Sequence, residues 1–258
     1  MPRIHATAVV DRGAELADDV VVGPYAIIGP QVRIGPGSSI ATHAVVTGRT
    51  SIGARNRIFQ FASIGDVPQD RKYAGEPTST TIGDDNVFRE YVSVHAGTVQ
   101  DRGDTLIGHH NLFLAYTHIA HDCVIGNHTT FSNSVQIAGH VHVGDWAVLG
   151  AFTGVHQFAR IGEHAMTAAF AAASQDVPPF IMVHGYPAKP RGTNTEGLRR
   201  RGFSNDDILA VRRAYKTLYR DGLSLEEAKS ALQQAAIETP VLKPLVEFLA
   251  VPGRGIVR

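Results

Sequence analysis

Between Ile107 and Ala172 the chain repeats in sixes: IGHHNL, FLAYTH, IAHDCV, IGNHTT, FSNSVQ, IAGHVH, VGDWAV, LGAFTG, VHQFAR, IGEHAM, TAAFAA. A bulky apolar residue opens every block except the last, where Thr167 stands; the second place is often Gly or Ala and the fifth is usually small. The same phase runs earlier through Ile4, Val10, Leu16, Val22, Ile28, Ile34, Ile40, Val46, Ile52, Ile58 and Ile64. A period of about six matches neither a strand, near 2, nor a helix, near 3.6. It predicts a parallel β-helix, in which short strands wind around a triangular core. Branched aliphatics suit its buried places, and Gly23, Gly29, Gly35 and Gly53 stand where side chains would crowd.

Three such blocks make a coil of about 18 residues, with neighbouring coils about 4.8 Å apart. On that spacing His121 lies under Gly139 and then Gln157, Asp122 lies under His140, and Ala120 and Ala138 lie under His156. Residues distant in the chain thus converge on one patch. None of them opens a block, so their side chains are expected to face solvent or a neighbouring subunit. This patch is the candidate active site.

Two inserts break the phase. The first, residues 65–81, contains Pro68, Gly75 and Pro77 and reads as a projecting loop. Its composition favours a solvated surface loop, with Asp70, Arg71 and Lys72 the candidates to reach a neighbour. The second, residues 97–105, shifts the frame before the long run begins. Met166 to Ala173 is almost wholly small or apolar and reads equally as a groove for an alkyl chain and as ordinary core or subunit contact.

Helical signals replace the repeat after Tyr186-Pro187. Ser204 with Asp207, and Ser224 with Glu227, open two helices, the second running to about Ala236. Pro240 and Pro244 shape a shorter third segment. We therefore expect a mainly β chain: a parallel β-helix over residues 1–186 and an α-helical domain over 187–258.

The chain has 258 residues, with 24 Lys and Arg against 24 Asp and Glu, so nothing points to nucleic acid. From Arg191 onward 12 basic residues face 8 acidic ones, and a basic tail suits an acidic partner. Arg199, Arg200 and Arg201 stand together before the first capped helix, where forked donors could take a phosphate. A single cysteine, Cys123, fits a reducing compartment, and no run is apolar enough to span a membrane; a cytoplasmic location is expected.

Histidine is the natural general base near neutral pH. In the patch, His121 would be that base, Asp122 would hold its tautomer, and Gly139 would offer a backbone N–H to a developing oxyanion. No Gly-x-Ser-x-Gly occurs, and Cys123, at a small fifth place, reads as core; direct attack by a substrate hydroxyl fits better than an acyl-enzyme. With 13 histidines a zinc site from His118, His121 and His140 or His142 is an alternative, as are purely structural histidines.

The segments Gln60-Phe-Ala-Ser-Ile-Gly, Lys72-Tyr-Ala-Gly-Glu-Pro, Gly97-Thr-Val-Gln, His118-Ile-Ala-His-Asp-Cys, Ala138-Gly-His, Val155-His-Gln-Phe, Gln175-Asp-Val-Pro-Pro and Glu196-Gly-Leu-Arg-Arg-Arg-Gly-Phe together resemble the UDP-N-acetylglucosamine O-acyltransferases of lipid A biosynthesis, over essentially the whole chain. The resemblance implies a left-handed coil, an exception to the usual right-handed crossover. It also implies a homotrimer with sites between subunits, and transfer of an (R)-3-hydroxyacyl group from acyl carrier protein to UDP-N-acetylglucosamine without cofactor or metal. By matching motif, His121, Asp122 and Gly139 are catalytic. Asp70, Lys72, His118, His140, His156 and Gln157 match substrate-contacting places, and Asn194, Glu196, Arg200 and Arg201 the nucleotide-sugar region. Ala169 stands at the family's acyl-chain ruler, a place often held by Gly, with Met166 and Phe170 nearby also shaping the limit.

Two places depart from the family pattern: Ala96 follows His95 where many relatives carry Arg, and Ala169 implies a somewhat shorter chain than the longest the family uses. Open at this stage are the chain length and whether the acceptor is UDP-N-acetylglucosamine or its 3-amino analogue. The related N-acyltransferase carries an extra N-terminal domain, whereas the hexads here begin at Ile4. The zinc carbonic anhydrase built on the same solenoid is the other enzyme alternative, and a trimeric scaffold the non-catalytic one.

Overall fold

The computed structural model describes residues 1–258. Short parallel strands form three sheets of 11, 9 and 8 strands. The first sheet runs from Arg3–Ile4 to the pair Ile181–His184 and Lys189–Thr193, the second from Val9–Val10 to Ala172–Ala173, and the third from Glu15–Leu16 to Arg160–Ile161. Each turn of chain visits all three, making a triangular parallel β-helix. His118 pairs with Gln136, Gln136 with Gly154 and Gly154 with Ala172, the 18-residue register that the hexads predict.

The inserts leave that register intact. Arg57 pairs with Val87 and Val87 with Leu112, separations of 30 and 25 residues in place of 18. A parallel ladder cannot absorb an unmatched residue without losing backbone bonds, so the surplus is pushed outward as two loops.

The first place of each block fills the core: Ile58, Ile64, Phe88, Phe113, Ile119, Phe131 and Ile137 are all buried. Burying each such side chain contributes roughly 1.5–3 kcal/mol. Fifth places are buried as well, including Cys123, whose thiol burial pushes up to about 12. Where the fifth place is polar, the polarity is spent: Asn56 Oδ1 accepts from Asn86, Asn86 Oδ1 from the Asn111 N–H, and Asn111 Oδ1 from Thr129.

The fourth place holds the corner. At 18 non-glycine residues φ is positive, among them Asp122 at 58° and His140 at 63°. None is β-branched, as the left-handed region demands of a side chain with a crowded Cβ. Many are aromatic, and they stack coil upon coil: Tyr91 on Tyr116 at 4.9 Å, Phe152 on Phe170 at 5.0 Å, and His140 on Phe158 at 4.3 Å. The expected boundary after Tyr186 falls inside the antiparallel pair that closes the first sheet, so strand structure continues to Thr193.

Helices α1 (Thr195–Arg200), α2 (Asn205–Tyr219), α3 (Leu225–Glu238) and α4 (Lys243–Ala250) follow. Both expected capping boxes, Ser204–Asp207 and Ser224–Glu227, are present. The short α1 was not foreseen; Asn194 caps it, and Arg199 and Arg200 lie in its last turn. No helix is long and apolar enough to cross a membrane.

The C-terminal strand-like tail is tied back by an ion pair between buried Asp176 and half-buried Arg160. Asp176 accepts from the Arg160 backbone N–H and guanidinium at 2.7–2.9 Å, while Arg160 also donates to the Val251 carbonyl. We expect Asp176→Ala to lower unfolding free energy by about 1.5–3 kcal/mol in denaturant melts, because it removes charge-assisted bonds to the partly exposed Arg160 guanidinium. At the junction of helices and solenoid, burial and then the nearby Arg201 cation depress the His164 pKa from 6.5 to about 4. The unfolded chain therefore binds a proton first, and this residue's stability contribution, whole above about pH 6.5, is lost as pH falls toward 4. Between about pH 6.5 and 4 the Tm should fall less in His164→Asn than in the parent chain, as thermal melts at several pH values would read.

Candidate active site

The second and third sheets meet at a corner built from residues 120–123, 138–141 and 156–159. Here His140 N–H donates to the His121 carbonyl and Phe158 N–H to that of Gly139, which fixes the vertical order of the side chains. A Cβ on Gly139 would sit 2.5 Å from Cε1 and 2.7 Å from Nε2 of His121, so only glycine admits the imidazole. The Gly139 N–H itself finds no acceptor within the chain.

Asp122 departs from expectation. It was expected to face solvent or a neighbouring subunit, but its carboxylate is wholly buried within its own chain. The second insert covers it: Thr98 donates through N–H at 2.9 and 3.1 Å and through its hydroxyl at 2.6 Å. The remaining partner is Nδ1 of His121, 2.9 Å from Oδ2. With the carboxylate accepting, Nδ1 carries the hydrogen and Nε2 keeps its lone pair. Charge-assisted bonds of this kind offset the cost of burying the carboxylate.

Both inserts border the same cleft, about 860 Å³ in volume, lined by Gln69, Asp70, Arg71, Lys72, Gln100, Asp101, His121, His140, Gln157 and Phe158. The first insert is thus more than a solvated loop, since it forms one wall over His121. A second, apolar groove of about 490 Å³ lies on the outer face of the second sheet. His118 and His156 stand at its edge, Gly154 and Ala172 line it, and Tyr186 borders it. Burial, and then the neighbouring His95 and His121, push the His118 pKa down to about 4, so its ring is neutral at neutral pH. Its Nδ1 lies 2.8 Å from the Ser93 hydroxyl, and its ring meets His95 edge-on at 4.8 Å.

The other sequence candidates sit elsewhere on the chain. Asn194 spends its side chain on the α1 cap and the His164 carbonyl, and Glu196 pairs with Arg199. Arg201 lies over Trp146 and against His164, at the corner between the third and first sheets. Arg200 is exposed on α1. Ala169 and Phe170 are exposed at the corner between the first and second sheets, beyond half-buried Met166. A single chain therefore does not gather the nucleotide-sugar and acyl-chain candidates around His121.

Three residues were missed: His95, Thr98 and Asp101. His95 is buried beside His118, with Nδ1 lacking any partner and burial lowering its pKa. Ala96, noted for departing from the family, is buried and donates its N–H to the Asp66 carbonyl. The available signal for Thr98 and Asp101 was position, because their insert ends one coil before Asp122. The only metal-capable cluster joins His121, Asp122 and His140, with ligand atoms within 4.8 Å. The alternative set with His118 and His142 is not assembled, and the Nδ1 atoms of His121 and His140 are already engaged by carboxylates.

Residues 176–257 match the second domain of the UDP-N-acetylglucosamine O-acyltransferase family, and residues 13–48 match the bacterial transferase hexapeptide repeat. The chain is 56% identical over 262 residues to the acyl-[acyl-carrier-protein]–UDP-N-acetylglucosamine O-acyltransferase of Janthinobacterium sp., covering all of both chains. It is 55% identical over 258 residues to that of Thiobacillus denitrificans, again at full coverage. The structure of LpxA from Acinetobacter baumannii superposes with a TM-score of 0.96 at 46% identity, covering 99% of each chain. With such identity along its whole length, the chain belongs to the UDP-N-acetylglucosamine O-acyltransferase family.

Proposed function

We propose that this enzyme transfers an (R)-3-hydroxyacyl group from acyl carrier protein to the 3-hydroxyl of UDP-N-acetylglucosamine, the opening step of lipid A biosynthesis, in the cytoplasm. The observation that carries the mechanism is the Asp122–His121 pair, with Nε2 of His121 free beside the unspent N–H of Gly139. His121 takes the proton of the sugar hydroxyl as its oxygen bonds to the thioester carbonyl carbon. The carbonyl π electrons move to oxygen, and the Gly139 N–H stabilises that oxyanion. Collapse breaks the carbon–sulfur bond, and the imidazolium returns its proton to the departing thiolate. No covalent acyl-enzyme forms. Cys123, the chain's only thiol, is buried and held protonated, which supports the direct route.

Asp70, Lys72, His140 and Gln157 line the cleft and are the substrate contacts of this reading, with His118 and His156 toward the groove. Asn194, Glu196, Arg200 and Arg201, and the ruler Met166, Ala169 and Phe170, stand on other corners. They join the reaction if coils of the left-handed helix from a second copy supply them, which supports a homotrimer with sites between subunits. The carrier, an acidic partner, would meet the basic C-terminal domain.

The test is acyl transfer from a panel of 3-hydroxyacyl carrier proteins to UDP-N-acetylglucosamine and its 3-amino analogue. His121→Ala should lower kcat by about 10²–10⁴, the worth of a general base, without losing the folded state. Undiminished turnover would remove His121 from the mechanism, and no transfer by the parent chain to either acceptor would remove the reaction. In the same panel Ala169→Gly should move the preference toward longer chains, and an unchanged profile would dismiss Ala169 as a ruler.

A further inference from the structure

Two imidazoles stand beside one carboxylate in this cleft. Oδ2 of Asp122 lies 2.9 Å from Nδ1 of His121 and 3.9 Å from Nδ1 of His140. That oxygen already takes the Thr98 hydroxyl at 2.6 Å and the Thr98 N–H at 3.1 Å. The His121 and His140 rings meet nearly perpendicular, at 88° and 4.9 Å between centroids. Phe158 stacks on the His140 ring at 4.3 Å between centroids. Without another acceptor, the His140 N–H would be drawn to Asp122 and compete with His121.

A second carboxylate is supplied by the insert that also carries Thr98. Asp101 Oδ2 lies 2.7 Å from Nδ1 of His140. The geometry points to Asp101 as a positioning residue: by holding the His140 Nδ1–H it reserves Asp122 for His121 and presents Nε2 of His140 to the cleft as an acceptor. Asp101 acts through His140, whereas Asp122 acts on the base directly. The insert between Gly97 and Thr105 thereby orients two histidines with two different residues, Thr98 through Asp122 and Asp101 alone. This assignment rests on the proposed reaction for its consequence, but the contact itself is measurable without substrate.

The experiment compares Asp101→Ala, Asp101→Asn and Asp101→Glu in the full chain, by nitrogen-15 NMR of the histidine rings and by steady-state kinetics. His140→Gln assigns the His140 signals. In the parent chain both His121 and His140 should be Nδ1–H tautomers. In Asp101→Ala the His140 signals should move toward a tautomer mixture, and kcat should fall about 10–100-fold, by analogy with the loss of a carboxylate that orients a metal-ligating histidine. Asp101→Asn and Asp101→Glu, which keep an acceptor oxygen, should recover most of that loss. In a His140→Gln background, Asp101→Ala should cost little more.

Unchanged ring signals in Asp101→Ala would overturn the assignment. So would an equal loss in the His140→Gln background, or a rise in KM with kcat preserved, since either places Asp101 directly on substrate. If the ring signals respond but the parent chain transfers no acyl group, the proposed reaction fails and the positioning contact stands.

Discussion

Every feature of this protein answers to one constraint, the parallel backbone ladder that joins each coil to the next. A coil may carry any side chain that suits its place, but it may not change length. Surplus residues must leave the wall, and both inserts do, emerging after Ser63–Asp66 and after Ser93–His95 on adjacent coils. Because they leave at neighbouring heights, they meet over the same corner. The ladder thus converts two insertions in sequence into two walls of one cleft.

The same constraint sets what stands at the corner. Its fourth place requires a left-handed φ, which excludes β-branched residues and accepts His, Asp and aromatics. Asp122 and His140 occupy such places, one above the other, with His121 and Gly139 just before them. A repeat selected by packing therefore delivers stacked functional groups at a fixed spacing. Glycine at 139 is the necessary complement, since any side chain there would displace the imidazole.

Around that corner the electrostatics are graded. Arg71 and Lys72 bring cationic side chains to the cleft. The groove carries no charged side chain beyond its histidines, and burial keeps His118 and His95 from charging easily. In the reaction proposed above, a negatively charged sugar nucleotide and an uncharged acyl chain would call for such opposite surroundings, because an apolar chain gains nothing from a charged wall and a phosphate is poorly solvated by an apolar one. The buried Asp122 is the exception that the fold must support, and Thr98 does so through its N–H and its hydroxyl.

Periodicity alone determined the solenoid, the coil length, the buried first and fifth places and the stacking of His121 under Gly139, because a fixed register turns spacing in sequence into position in space. Capping chemistry determined the starts of α2 and α3, where Ser204 and Ser224 act within their own segments. The family resemblance added the roles that spacing could not assign. Only the tertiary structure decided that Asp122 is buried, that Gln69 to Lys72 line the cleft, that α1 holds Arg199 and Arg200, and that Asp101 reaches His140. Each of these depends on where an aperiodic segment folds back. Such segments have no repeat to fix their register, and only contacts with the finished coil decide their course.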